Sequence, residues 1–326
     1  MSSLAAIEPK AAAHNRLRGL LANVGVDDED QVVLDQLVQS TPEMKVGLAL
    51  VSGCFVTALA LFLCNLTHSD PLGGLQVLSP STWTAAGIGL AVGCPLAALR
   101  LFLWSAPARR TFPMLEAVKE EEMRVLTPFL RDLNPIQVAA VAAADAVPTV
   151  LLLLPAAQGG LTLSFRVYAS MIHGQQWGLL GLMSGINSEA LPAVLAITLT
   201  AALCSVAHWA ELATTGAEYE VVEDAIMGAD RYYRRLALEP GRQDQISPDK
   251  MAAAFKSVAI SWIHQHEAAA IFHAFHRAVD VVILGLLWYA TGNLAAPLVA
   301  TLLAEGSDVF AAYRHLPHNT SSLRQQ

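Results

Sequence analysis

The chain has 326 residues, of which 54% are hydrophobic and only 15% charged, and it carries a net charge of −8. This composition excludes a disordered protein and a soluble single-domain enzyme, because ordinary globular domains contain about 25% charged residues. The acidic balance provides no basic surface for nucleic acid, so no nucleic-acid partner is expected. The mean hydropathy of +0.44 instead predicts an all-α, polytopic helical membrane protein, which has the lipid bilayer as its first partner.

Apolar windows long enough to cross a bilayer, which takes about 20 residues, predict about six transmembrane helices. They are Met44–Leu66, Trp83–Trp104, Pro135–Leu161, Leu191–Leu212, Ala268–Tyr289 and Leu294–Tyr313. A weaker stretch, 167–186, includes His173. If that stretch does not cross, the basic residues of the loops and tails share one side and only Arg166 lies opposite. We therefore predict both termini on the basic side and a half-buried or re-entrant segment at 162–190.

The spans divide the chain into five segments. The first two are a polar N-terminal tail at 1–43 and a two-helix membrane hairpin at 44–104. An amphipathic surface helix at 105–134 follows, with Phe112, Leu115, Val118 and Met123 along one face. The membrane core, 135–313, contains insertions at 162–190 and 213–267, and 314–326 form a C-terminal tail. Within 213–267 we expect two helices, broken at Pro240-Gly241, with the second beginning at Pro248.

Ionisable residues inside a membrane are costly, so each of them is a functional candidate. Asp145 in the third span is either a ligand for a proton or cation, or an interior carboxylate bonded to a neighbouring helix. Glu305 and Asp308 lie three residues apart in the last span, and the sequence alone does not assign either of them to Arg277 or Arg314.

Histidines gather at the start of the fifth span. His266, His273, His276 and Asp280 fall within one stripe of a helix. One interpretation is a metal site completed by His208 and Glu211, which lie one turn apart at the end of the fourth span. The alternatives are a pigment magnesium, a proton path, or neutral imidazoles bonded to backbone carbonyls. His208 and Glu211 are equally consistent with a hydrated pair at the membrane interface.

Three segments together resemble a known family. Thr291–Pro297 precedes the last span, Ala207-His208-Trp209 ends the fourth, and Asn134–Ile136 and Gln158–Leu161 flank the third. Over about 130–313 this order resembles the CPBP intramembrane metalloproteases, the family of CAAX prenyl endopeptidases and bacteriocin-processing (Abi) proteins. The resemblance implies a four-helix CPBP-like core.

The family's activity depends on EExxxR, FxxxH and HxxxN/D motifs, which imply a glutamate-activated water beside a histidine-assisted, metal-dependent site. Only the FxxxH histidine is retained, as His208. The other motif positions are occupied by Thr149, Val150, Leu154, Cys204, Thr301 and Glu305. Without the glutamates the site has no general base, and amide hydrolysis loses orders of magnitude in rate. The resemblance therefore implies a degenerate, non-catalytic member that requires no cofactor.

Two other interpretations remain open. The spacing of Phe272, His276 and Asp280 matches FxxxH and HxxxD, so a relocated intramembrane metalloendopeptidase site is the alternative function; it would use zinc bound by His208, Glu211, His276 and Asp280. Glu120–Arg124 resembles EExxxR, but it is one residue short and lies in a charged loop. A transporter with Asp145 on a proton path is the third possibility, although no pair of broken helices supports it.

The matched segments look most like those of plant and algal plastid members. This resemblance implies a thylakoid or inner-envelope location with the basic side facing the stroma. It also implies a scaffold, assembly factor or complex subunit whose partners are other membrane-protein subunits, such as a photosystem or its antenna. His173, His273 or His276 would then be candidates to ligate chlorophyll.

Overall fold

The computed structural model describes residues 4–21, 40–76, 79–172, 190–238 and 247–316. Within these ranges every regular element is a helix. Six helices are long and apolar enough to cross a membrane, which confirms the predicted fold class of an all-α, polytopic membrane protein. Large apolar side chains on their outer surfaces, such as Val51, Phe55 and Phe62 in the first span, are exposed in the way that contact with lipid requires.

The helices, numbered in chain order, are α1 Leu4–Leu21, α2 Pro42–Thr67, α3 Pro80–Leu103, α4 Ala106–Thr111, α5 Met114–Leu130, α6 Pro135–Leu151, α7 Gly160–Ile172, α8 Leu191–Leu212, α9 Gly216–Leu236, α10 Pro248–Thr291 and α11 Ala295–His315. A π-helical segment, Leu152–Gly159, joins α6 to α7.

Three membrane helices begin with the same local signal. The side chains of Thr41, Ser79 and Asn134 each accept a hydrogen bond from a backbone N–H of the first turn, and proline follows each of them. Proline suits this position because its missing N–H would have no partner in the helix and its φ angle is already helical. These caps place the starts of α2 and α3 slightly before the apolar windows that predicted them.

The third membrane helix is longer than predicted. It continues from Pro135 through the π-helical segment to Ile172, so the beginning of the expected 162–190 insertion belongs to it. Gly159 and Gly160 do not end the helix. A Cβ on Gly160 would lie 2.9 Å from Cγ2 of Thr67, so this glycine permits close packing against α2. Residues 173–189, with His173, lie outside the described part of the chain.

The predicted surface helix at 105–134 is two helices, α4 and α5. They are separated at Phe112 and Pro113, because Pro113 has no N–H to continue the first helix. Leu115 and Val118 are buried as expected, whereas Phe112 lies in the break and is exposed. The prediction that Phe112 shares one helix face with Leu115 and Val118 is therefore wrong.

One compact unit combines 1–35 with 210–272. Its core contains Leu17 of α1, Val222 and Tyr233 of α9, and Phe255 of α10. The segment expected to be a polar tail thus contributes a packed helix. Two helices occur in 213–267, as predicted, and the second begins at Pro248, but that helix continues into the fifth span without a break. Pro240-Gly241 lies outside the described residues.

The second unit combines 36–209 with 273–326 and contains most of the membrane helices. Helices α3 and α11 pack most closely, through Gly89 and Gly93. A Cβ on Gly89 would lie 2.3 Å from the carbonyl oxygen of Ala296, and one on Gly93 would lie 2.8 Å from Cα of Ala300. The two backbones therefore touch, as small residues allow in membranes. This contact brings the polar side chains of α3 and α11 within reach of each other.

Candidate functional site: an ion network between membrane helices

Arg100, near the end of α3, is the centre of a buried polar network. Only 7% of this residue is exposed. Its guanidinium group donates to Asp280 of α10 and to Asp308 of α11, forming an ion pair with each. Nε1 of Trp104 donates to the other oxygen of Asp308 at 3.1 Å. One arginine of α3 thus connects that helix to α10 and α11, which lie far from it in the sequence.

A second ion pair lies on the same two helices, α10 and α11. Nη1 of Arg277 is 3.3 Å from Oε1 of Glu305. Nδ1 of His276 lies 3.6 Å from the carboxylate of Asp280, one turn along α10. Glu305 therefore pairs with Arg277, which the sequence did not settle, and Asp308 binds Arg100.

The network resembles a structural brace more than a reaction centre. A fixed guanidinium fork with two carboxylates holds helices in register, and removing one member leaves the others buried without compensation. A general base must instead present a carboxylate or imidazole toward a substrate. Asp280 and Asp308 both direct carboxylate oxygens toward Arg100.

Glu122 lies outside the membrane helices but interacts electrostatically with Asp308 and Arg100 of this network. It is half-buried on α5. Burial and the nearby negative charge of Asp308 raise the pKa of its carboxyl from 4.5 to about 8, although Arg100 opposes the shift. The protonation of Glu122 therefore changes near neutral pH.

The position of Asp145 does not match that of an interior carboxylate bonded to a neighbouring helix. Its side chain is exposed on the surface of α6, and none of the described residues hydrogen-bonds to it. At a rise of 1.5 Å per residue it lies about 15 Å from the start of the helix, near the middle of a bilayer. Arg277 is within electrostatic range of it.

The histidine cluster separates into smaller contacts. The rings of His208 and His273 lie 5.4 Å apart, and His276 is beside Asp280. Glu211 and His266 belong to the other compact unit. Among the described residues, no three His, Cys, Asp or Glu side chains are grouped so that they could hold a metal ion. His208, His276 and Asp280, the zinc candidates that lie within one unit, are therefore not grouped as a zinc site needs.

The positions that correspond to the protease motifs are mostly apolar core. Val150 and Leu154 are each 1% exposed and pack with Leu284 and Leu287 of α10. Thr301 is buried, and its hydroxyl has no hydrogen-bond partner among the described residues. Thr149 and Cys204 are half-buried. The Glu120–Arg124 stretch lies on α5, outside the six membrane helices.

The sequence alone assigned no role to Arg100 or Trp104, and Glu122 was treated only as part of the Glu120–Arg124 stretch. An arginine inside a membrane span is itself a signal, since it requires carboxylate partners at a similar depth. Asp280 and Asp308 were available, but only the structure places α3, α10 and α11 together.

No protein-family model matches the chain, and neither a curated protein nor a solved structure shows significant similarity to it.

Proposed function

We propose that this chain is a non-catalytic, CPBP-like integral membrane protein that acts as a scaffold, an assembly factor or a subunit of a larger membrane complex. The observation that carries the proposal is the exposed carboxylate of Asp145 on α6. A charged side chain facing lipid at mid-membrane is costly, and a polar or cationic group of a partner helix removes that cost. A partner that covers Asp145 is therefore part of the functional protein.

Two further observations support a role without catalysis. Val150 and Leu154, where the resemblance would place a general-base glutamate and an arginine, are sealed in apolar core. The intramembrane cations Arg100 and Arg277 are engaged by carboxylates of α10 and α11. These two arginines are thus engaged in holding helices together.

The resemblance to plastid members supports the finer part of the proposal. On this resemblance we infer a location in the thylakoid or the inner envelope, with the basic loops and both termini on the stromal side. The partner is then a membrane complex such as a photosystem or its antenna.

Purification from native membranes in mild detergent tests the proposal. We expect the wild-type chain to migrate on native gels in a stoichiometric complex, without peptidase activity. Asp145→Asn is expected to release the chain from that complex while its thermal unfolding stays unchanged. Asp132→Asn, an exposed acid in the turn before α6, is the matched control and retains the complex.

Two outcomes would contradict the proposal. One is stoichiometric zinc together with peptide cleavage, both lost in His276→Ala, which would establish the metalloendopeptidase instead. The other is a chain that migrates alone from native membranes, whether or not Asp145 is present.

A further inference from the structure

A cavity of about 390 Å³ lies at the end of the bundle where α2 ends and α3 begins, away from Arg100. Its walls come from the turn after α2, the third membrane helix, the start of α8 and the end of α10. The lining includes Gln158, Arg166, Ile197, Gly285 and Trp288. None of these residues belongs to the ion network or to the exposed surface around Asp145.

Gln158 is the unusual member of the lining. It is 1% exposed, and neither its amide oxygen nor its amide nitrogen has a hydrogen-bond partner among the described residues. Leaving a buried amide unpaired destabilises the fold, so such groups in native proteins need an explanation. Its position in the π-helical segment is consistent with a binding role, because π-helical turns often occur at functional sites.

The surroundings keep the Gln158 amide beside the cavity. A Cβ on Gly285 would lie 2.8 Å from its oxygen and 2.9 Å from its nitrogen, so only glycine leaves room for the amide there. The turn after α2 is held to the end of α10, because Nε1 of Trp288 donates to the carbonyl oxygen of Gly73 at 3.3 Å. The unpaired amide is thus built into a fixed wall.

The remaining lining residues combine apolar and charged side chains, which suits an amphiphilic ligand. Leu163 and Ile197 supply apolar wall, whereas Arg166 supplies an exposed cation that no described residue pairs with. Trp288 and Tyr289 are also part of the lining, and aromatic residues of this kind are enriched at membrane–water interfaces. The acid of the lining, Asp70, is directed inward to its own turn, where it accepts from the N–H groups of Leu72 and Gly74.

We propose that this cavity binds an anionic lipid whose headgroup carries hydroxyl groups. The amide oxygen of Gln158 accepts from a headgroup hydroxyl, and its nitrogen donates to a phosphate or ester oxygen. Arg166 pairs with the anionic group, and an acyl chain lies along Leu163 and Ile197. This binding site goes beyond the proposed assembly role and does not depend on it.

Thermal unfolding of the purified full chain in detergent tests the ligand. We expect phosphatidylglycerol to raise the unfolding temperature in a saturable way and phosphatidylcholine to leave it unchanged. Glycerol 3-phosphate offers the same anion and hydroxyl groups without acyl chains, and it is expected to have no effect at matched concentrations. An equal shift with phosphatidylcholine, or a full shift with glycerol 3-phosphate, would overturn the lipid site.

Variants test the residues. Gln158→Leu and Arg166→Gln are each expected to weaken phosphatidylglycerol binding about tenfold, the value of one good hydrogen bond or ion pair. Arg110→Gln, an exposed arginine at the other end of the bundle, is the matched control and binds normally. Without lipid, Gln158→Leu is expected to unfold no lower than wild type, because it removes an unpaired amide. Retention of full binding by Gln158→Leu would refute the assignment; if that variant fails to fold, full binding by Arg166→Gln would do so.

Discussion

The two ends of the membrane bundle treat buried polar groups in opposite ways. At the end near Arg100, one guanidinium group satisfies Asp280 and Asp308, and Trp104 completes the second carboxylate. At the other end, Gln158 is also buried, yet neither polar atom of its amide has a hydrogen-bond partner among the described residues, and its side chain lines a cavity. Burying either group in a membrane costs free energy, but only the Arg100 network offsets that cost with partners among the described residues.

This difference distinguishes polar groups that stabilise the fold from polar groups that are available to bind a partner or ligand. A paired network holds helices in position, and its removal lowers the free energy of unfolding. An unpaired group that the fold maintains is a place for something outside the chain, and its removal is felt as lost binding. Asp145 is in this second category, because its side chain is exposed on the surface of a membrane helix.

Arg100→Met removes the cation of the paired network and is expected to have the largest effect on stability. It leaves Asp280 and Asp308 buried without a cation, so we expect a loss of about 3–5 kcal/mol in the free energy of unfolding. Thermal unfolding in detergent measures the effect. The triple variant Arg100→Met, Asp280→Asn, Asp308→Asn removes the uncompensated charges and should recover most of the loss; a triple variant as unstable as the single one would contradict this explanation.

Gly89→Ala tests whether close packing of α3 on α11 keeps the ion partners together. The added Cβ would meet the carbonyl oxygen of Ala296, and we expect a loss of about 1–3 kcal/mol from the forced separation. Gly87→Ala is the control on the same helix, since a Cβ there has nothing within 4 Å. Equal effects of the two substitutions in thermal unfolding would show that the contact is unimportant.

Glu122 predicts a pH dependence that belongs to the network end alone. Its folded pKa of about 8 lies above the ordinary 4.5, so the folded protein binds the extra proton between these values. The stability it contributes is fully present below about pH 4.5 and is lost as the pH rises through about 8. Unfolding temperatures measured across this range should fall with pH in wild type and fall less in Glu122→Gln. Identical profiles would show that Glu122 does not titrate in this window.

Thr301→Val has the smallest expected effect. The Thr301 hydroxyl is buried without a partner among the described residues, so valine should unfold at the same temperature or slightly higher, by less than about 1 kcal/mol. This outcome would place Thr301 in the apolar core. A clear loss of stability would instead indicate that the hydroxyl has a partner, such as a buried water.

The sequence was sufficient for the fold class because apolar length and helix caps are local properties. The six spans and the Pro248 helix start both follow from residues close in sequence, whereas the pairing of Glu305 with Arg277 needed the structure. Local signals failed at the end of the third span, because the helix continues past Leu161, and Gly160 permits close packing against α2. They also failed for Arg100 and Gln158, whose roles depend on which helices become neighbours.

A double-mutant cycle between Arg100 and Asp308 tests most directly whether the intramembrane charges form a structural brace. The unfolding free energies of Arg100→Met, Asp308→Asn and the double variant are compared with that of wild type. We predict that the effects are not additive, with a coupling of about 1–3 kcal/mol and a double variant more stable than Arg100→Met alone. Additive losses would contradict the account, because Arg100 and Asp308 would then contribute to the fold independently.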